Sequence, residues 1–312
     1  MQHDIAVGID GSAEGLAAAH WAAQEAQRRG TGLGVVHVWH PRPAPYVPMD
    51  STERERADQV LREAVRSVRV AHPQLRITDR LVCDATVSGL LEVAADTDLL
   101  ILGSRGFGAL AGFLTGSVSQ RIVSRSTRPV VLVRAGRSAA DEHLAATDGV
   151  APEEIPKTPY RRVVLGLRTD RPCDELIEFA FDAARRRGTG LAVVHTFRTA
   201  FRPAPAPSVP LVSAFPEGPP AVSRPQAQVL ADQERTVAAV LRPWREKYPA
   251  VPVTETVTEG RAAVVLAQAA QDAGLLVVGR RGIDHQVGIH VGPVTHAVLH
   301  HVGCPVAVVP HD

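Results

Sequence analysis

Aromatic side chains are scarce, at 4% of the 312 residues, too few to build stacking platforms for single-stranded nucleic acid. An excess of either charge is also lacking. With a formal net charge of +1, the chain has no broad field to attract nucleic acid or an anionic membrane. One small anion site stays open to it, because backbone N–H groups bind a phosphate without net charge. Cysteines are few: Cys83, Cys173 and Cys304 stand far apart and form no CxxC pair. That disfavours a disulfide framework or a cysteine zinc site and suits a reducing interior. No apolar run approaches the ~20 residues that span a bilayer. Met1-Gln2-His3-Asp4 runs into a short apolar segment with no charged-then-apolar leader. The expectation is a soluble, cytoplasmic protein without nucleic-acid or membrane partners.

What is present is enough chain for two cores. Hydrophobic residues at 45% and charged residues at 21% are globular proportions, and 312 residues make two domains of ordinary size. The two are copies. Arg28-Arg29-Gly30-Thr31-Gly32-Leu33-Gly34-Val35-Val36-His37 recurs as Arg186-Arg187-Gly188-Thr189-Gly190-Leu191-Ala192-Val193-Val194-His195. At the same offset Val7-Gly8-Ile9 answers Leu165-Gly166-Leu167. Further on, Leu99-Leu100-Ile101-Leu102-Gly103-Ser104-Arg105-Gly106 answers Leu275-Leu276-Val277-Val278-Gly279-Arg280-Arg281-Gly282, and Pro129 falls in register with Pro305. The offset lengthens between the two blocks. The extra residues belong to a proline-rich insertion at about 202–225, too proline-dense for a helix or a central strand. The expected domains are 1–135 and 159–312, joined by a linker at 136–158 that is rich in Ala, Asp, Glu and Pro.

Each copy alternates strand and helix patterns. In the first, short apolar runs at 5–9, 33–39, 99–102 and 130–133 read as buried parallel strands, and 76–82 as a half-exposed one. Between them fall helices from Ser12, a plausible N-cap, to a stop at Gly30, then about 51–71, 87–95 and 117–124. Such alternation means a parallel sheet covered on both faces by right-handed crossovers. The fold class is therefore α/β, as two tandem doubly wound five-stranded parallel-sheet domains. A ligand crevice is expected where the strand order reverses.

After the fourth strand comes a loop from Gly103 to Ser117 with glycines at both ends. Glycine lets the backbone approach a ligand, and the helix beginning at Gly116-Ser117 presents unpaired N–H groups and a positive dipole end to a phosphate. The spacing is G-x2-G-x9-G-S. It is not a P-loop, which needs Gly-Lys-Ser/Thr before the helix, nor a dinucleotide fingerprint. No G-x-S-x-G nucleophile elbow is present either.

This spacing, with Val7-Gly8-Ile9-Asp10-Gly11-Ser12 and Arg128-Pro129-Val130-Val131-Leu132-Val133, resembles the ATP-binding branch of the universal stress protein family, twice along nearly the whole chain. The resemblance implies that Asp10 and the backbone at Val38 hold the adenosine end of ATP. Gly103, Gly106, Gly116 and Ser117 would hold the phosphates, with Ser104, Arg105 and Val118 lining the site. The implied cofactor is ATP, with or without Mg2+. The resemblance also implies that the terminal strands Val130–Val133 and Val306–Val309 pair, in a homodimer or an intramolecular pseudo-dimer. Protein partners of a nucleotide-dependent stress or signalling module are implied but not named.

The second copy departs from the pattern. Gly279, Gly282 and Gly292 keep the spacing, but Pro293 follows the last glycine and Arg168 stands at the position of Asp10. A weakened site there would use Gly279, Arg281, Gly282, Gly292, Val294 and Thr295, with the Thr295 hydroxyl substituting for that of Ser117. His285, His290, His296, His300 and His301 cluster in sequence, yet without the acidic residue of a zinc-hydrolase helix, so no metal site is expected. Two other function classes remain: a slow ATPase or nucleotide transferase, for which no general base or arginine finger can be assigned, and an oligomeric scaffold.

Overall fold

The computed structural model describes residues 5–40, 51–104, 117–136, 139–144, 158–198, 226–281 and 291–311. The first half alternates β1 (Ile5–Ile9), α1 (Ala13–Arg29), β2 (Leu33–Trp39), α2 (Ser51–Ala71), β3 (Ile77–Cys83), α3 (Thr86–Ala95), β4 (Leu99–Ser104), α4 (Ser117–Arg125) and β5 (Val130–Arg134). The second repeats the series as β6 (Val163–Gly166), α5 (Asp174–Arg187), β7 (Leu191–Phe197), α6 (Gln226–Lys247), β8 (Val253–Glu259), α7 (Ala262–Ala269), β9 (Leu275–Arg281), α8 (Pro293–His301) and β10 (Val306–His311). Local chemistry sets the helix ends. The Ser12 hydroxyl accepts from the Gly15 N–H at 3.1 Å, and Gly30 stops α1 in the left-handed region at φ 69°.

The strands join in one sheet of order β3-β2-β1-β4-β5-β10-β9-β6-β7-β8. All ladders within a half are parallel; only β5 and β10, at the centre, run antiparallel. Continuous Val/Ile/Leu runs in β1, β4 and β5 suit strands buried on both faces. One apolar layer packs α1, α2, α5 and α6 on one face, and a second packs α3, α4, α7 and α8 on the other. The chain is thus α/β, with two tandem doubly wound halves. The terminal strands meet inside the chain itself: Val131 faces Ala307, and these are counterparts, each two residues after the matched prolines Pro129 and Pro305. A pseudo-two-fold axis therefore passes through that pair.

Side chains cross the seam as well. Arg280 donates to the carbonyls of Ser124 (3.1 Å) and Ser126 (2.6 Å) at the end of α4. Arg134 donates to Leu299 and His300 at the end of α8, at 2.9 and 2.8 Å. Both arginines satisfy carbonyls that a helix C-terminus leaves over. Of the 136–158 segment, a 3-10 turn at Ala139–Glu142 and a bridge from His143 to Tyr160 are described, and the buried Glu142 carboxylate accepts from Arg28 at 2.6 Å. The proline-rich stretch at 202–225 lies outside the described residues.

Candidate functional site

The strand order reverses between β1 and β4 and again between β6 and β9, so a crevice forms at the carboxyl ends of each pair. In the first half, Asp10 follows β1. One of its carboxylate oxygens accepts from the Ser12 N–H at 3.0 Å and from the Ser12 hydroxyl, which shapes the turn into α1. Val38 is buried on β2, one residue past His37, whose rung is shared with Ile9. The His37 Nδ1 lies 2.8 Å from the Ile9 carbonyl, and the His195 Nδ1 lies 3.0 Å from that of Leu167. A carbonyl only accepts, so both rings donate from Nδ1 and tie neighbouring strands together at the crevice.

Gly103 lies near the end of β4, beneath the first turn of α1. A Cβ there would stand 2.5 Å from the Glu14 carbonyl carbon and 2.7 Å from the Gly15 nitrogen. Ser104 is buried beside it. Ser117, exposed, opens α4 and Val118 follows half-buried, while the Ser119 hydroxyl donates to the Gly103 carbonyl at 3.2 Å. The structure thus gathers Asp10, Val38, Gly103, Ser104, Ser117 and Val118 at one end of the β2-β1-β4 ladder. Arg105, Gly106 and Gly116 lie outside the described residues.

In the second half the crevice is a cleft of about 630 Å3, and Gly279, Val294 and Thr295 line it. Arg281 and Gly292 are exposed and do not line it, and Gly282 lies outside the described residues. The expectation for Thr295 needs correcting. Its hydroxyl donates to the Gly279 carbonyl at 2.9 Å, as that of Ser119 does to Gly103. Thr295 is therefore the counterpart of Ser119, not a replacement for Ser117, and its proton is committed to the strand.

Sequence reasoning missed Arg171, Cys173, Arg198 and His311, all of which line the second cleft. Reading the first repeat offset outward from Asp10 would have found two of them, since Arg171 and Arg198 stand where the first copy has Ala13 and His40. Burial pushes the Cys173 thiol up to about 11, so it stays protonated at neutral pH. On α8 the Nε2 atoms of His296 and His300 lie 3.2 Å apart, and no group of three metal-ligating side chains occurs among the described residues. No helix among the described residues is long and apolar enough to cross a membrane.

Comparison with known proteins places these features. The model of the universal stress protein family matches residues 1–134 and again 159–310. A universal stress protein of Mycobacterium tuberculosis (strain ATCC 25618 / H37Rv) is 32% identical over 316 residues, covering 98% of this chain and 97% of that one. Another from the same strain is 30% identical over 332 residues, covering 99% and 96%. Among solved structures, a universal stress protein from Archaeoglobus fulgidus DSM 4304 superposes with a TM-score of 0.67 over 100% of both chains at 16% identity, a likeness of fold.

Proposed function

This chain belongs to the universal stress protein family, with the family's domain present twice, and on that premise we propose that its first half binds ATP as a nucleotide-dependent stress-response or signalling module. One observation carries the reading. The G-x2-G-x9-G-S spacing runs from the end of β4, at the reversal of strand order, to the first residue of α4. Such a loop offers the phosphates successive backbone N–H groups and the positive end of a helix. Because Ser119 ties the first turn of α4 to Gly103, that helix end is held at the crevice.

The residues present fit the nucleotide. Asp10 spends one oxygen on Ser12, which orients the carboxylate, and it stands where ribose hydroxyls would donate to it. The Val38 backbone would receive the adenine, and Gly103, Gly106, Gly116 and Ser117 the phosphates, beside Ser104, Arg105 and Val118. Mg2+ would arrive with the nucleotide, because the described residues hold no ligand cluster of their own. No general base or arginine finger can be assigned from the sequence, so the reading is of binding rather than hydrolysis. Occupancy of the site would bias contacts with partner proteins.

Calorimetric titration of the full chain with ATP tests this. One dominant site per chain is expected. Ser117→Ala removes one hydrogen bond to a charged group, about 1.5–3 kcal/mol, and should weaken binding roughly 10- to 150-fold. No ATP binding by the parent, or unchanged affinity in the variant, would sink the assignment.

A further inference from the structure

The second cleft differs from the first half in the charged residues its sequence supplies. Arg168, Arg171 and Arg198 line it where the first half carries Asp10, Ala13 and His40. His311 joins them, and no aspartate or glutamate is among the described residues that line the cleft. Arg168 forms an ion pair with Asp170, but the two side chains are 62% and 60% exposed. The pair is bidentate, through Nε and Nη2, so a doubly charged ligand must compete with the Asp170 carboxylate for the Arg168 fork.

Backbone changes accompany the charge. Ala13 is the first residue of α1, yet its counterpart Arg171 lies outside α5, which begins at Asp174. Pro172 explains this, because the residue before a proline is steered away from helical backbone. In the first half the opening turn of α1 sits on Gly103, whereas the atoms nearest a Cβ on Gly279 would be side-chain atoms of His311 and Leu176. Leu167, Val194, Leu266 and Val278 give the cleft an apolar part. On the opposite wall, anion donors are lost: Pro293 has neither hydroxyl nor N–H, and Thr295 donates to Gly279.

We propose that the second cleft is a separate site for a nucleoside phosphorylated on its ribose, at the 2′ or 3′ oxygen. The base occupies the apolar slot, and the phosphate is held by Arg168 and Arg198 with Arg171 beside them. A guanidinium fork matches phosphate oxygens two at a time. An arginine at the position of an acidic ribose-binding residue exchanges recognition of free hydroxyls for recognition of a ribose phosphate. A cleft of about 630 Å3 is of the size that encloses such a ligand. The inference rests on the first-half reading only for where the ribose lies; the three arginines stand independently of it.

The test titrates the full chain with 2′-AMP, 3′-AMP, 5′-AMP, adenosine and ATP, for the parent and for an Arg168→Ala, Arg198→Ala double variant. Expected is one site at which 2′-AMP or 3′-AMP binds at least tenfold more tightly than 5′-AMP. The double variant should lose that binding at least tenfold while keeping the parent's ATP titration and thermal melt. Ser117→Ala should weaken ATP and leave the ribose phosphates untouched. Ribose phosphates binding no better than adenosine, or binding the double variant as they do the parent, would overturn the proposal. Ribose phosphates that bind a chain showing no ATP affinity would support it and overturn the first-half reading alone.

Discussion

Glu25 on α1 is enclosed by guanidiniums from both halves: Arg187 at 2.8 Å, Arg29 at 2.8 Å and Arg28 at 3.2 Å, with only 2% of its side chain exposed. Burial alone would raise its carboxyl, but Arg187, Arg29 and Arg28 together outweigh that and hold it at about 2. The unfolded value lies near 4.5, so the folded state favours the carboxylate. This stabilisation is complete above about pH 4.5 and is lost as pH falls towards 2. Urea denaturation from pH 7 to 3 should show the parent weakening through that window and Glu25→Gln following a flatter profile. At neutral pH Glu25→Ala strands the fully buried Arg187 and should cost about 3–5 kcal/mol. A variant with the parent's stability and acid profile would show that the cluster is energetically idle.

Among elements, the first turn of α1 matters most to the candidate site, because it lies directly on the end of β4. Gly103 is a glycine there for want of space, since any Cβ would press on the Glu14 backbone. Gly103→Ala should therefore lower stability by roughly 1–3 kcal/mol through overpacking and weaken ATP binding by shifting α1 away from β4. Ser12→Ala removes the cap from the Gly15 N–H and a partner from Asp10, and should cost about 1 kcal/mol. Thermal melts with ATP titrations separate the two: an Ala at Gly103 without effect on either would mean that the strand and helix move apart freely.

For the whole molecule, the seam between β5 and β10 is only three register pairs long. Two halves of this size would part easily on so short a ladder. Arg280 and Arg134, each reaching into the other half's helix end, and the Glu25–Arg187 pair add what the ladder lacks. Calorimetry should show the parent unfolding in one cooperative transition. Replacing Arg134 and Arg280 by alanine leaves helix-end carbonyls unsatisfied, at about 1–3 kcal/mol for each arginine, and should lower and split that transition. A single peak at the parent's temperature in the double variant would refute this role.

The sequence by itself determined the two copies, the strand and helix alternation and the glycine spacing, because each is a local pattern. Buried parallel strands must be continuously apolar, helices stop where glycine permits a left-handed turn, and a phosphate loop needs glycines at set distances. It also marked Arg168 and Pro293 as departures. Only the tertiary structure decided what long-range contact governs. Arg28-Arg29 and Arg186-Arg187 read as one repeated dipeptide, yet Arg28 and Arg29 bond Glu25 within their own half while Arg187 reaches it from the other, and the counterpart of Glu25 is Ala183. Thr295 looked like a spare hydroxyl until its bond to Gly279 closed it off. Arg171 and Arg198 carried no local signal, since an arginine in a loop is solvated until a cleft forms beside it. Which terminal strand pairs with which was open as well, and the antiparallel meeting of β5 and β10 settles it within one chain, because their apolar edges cover each other.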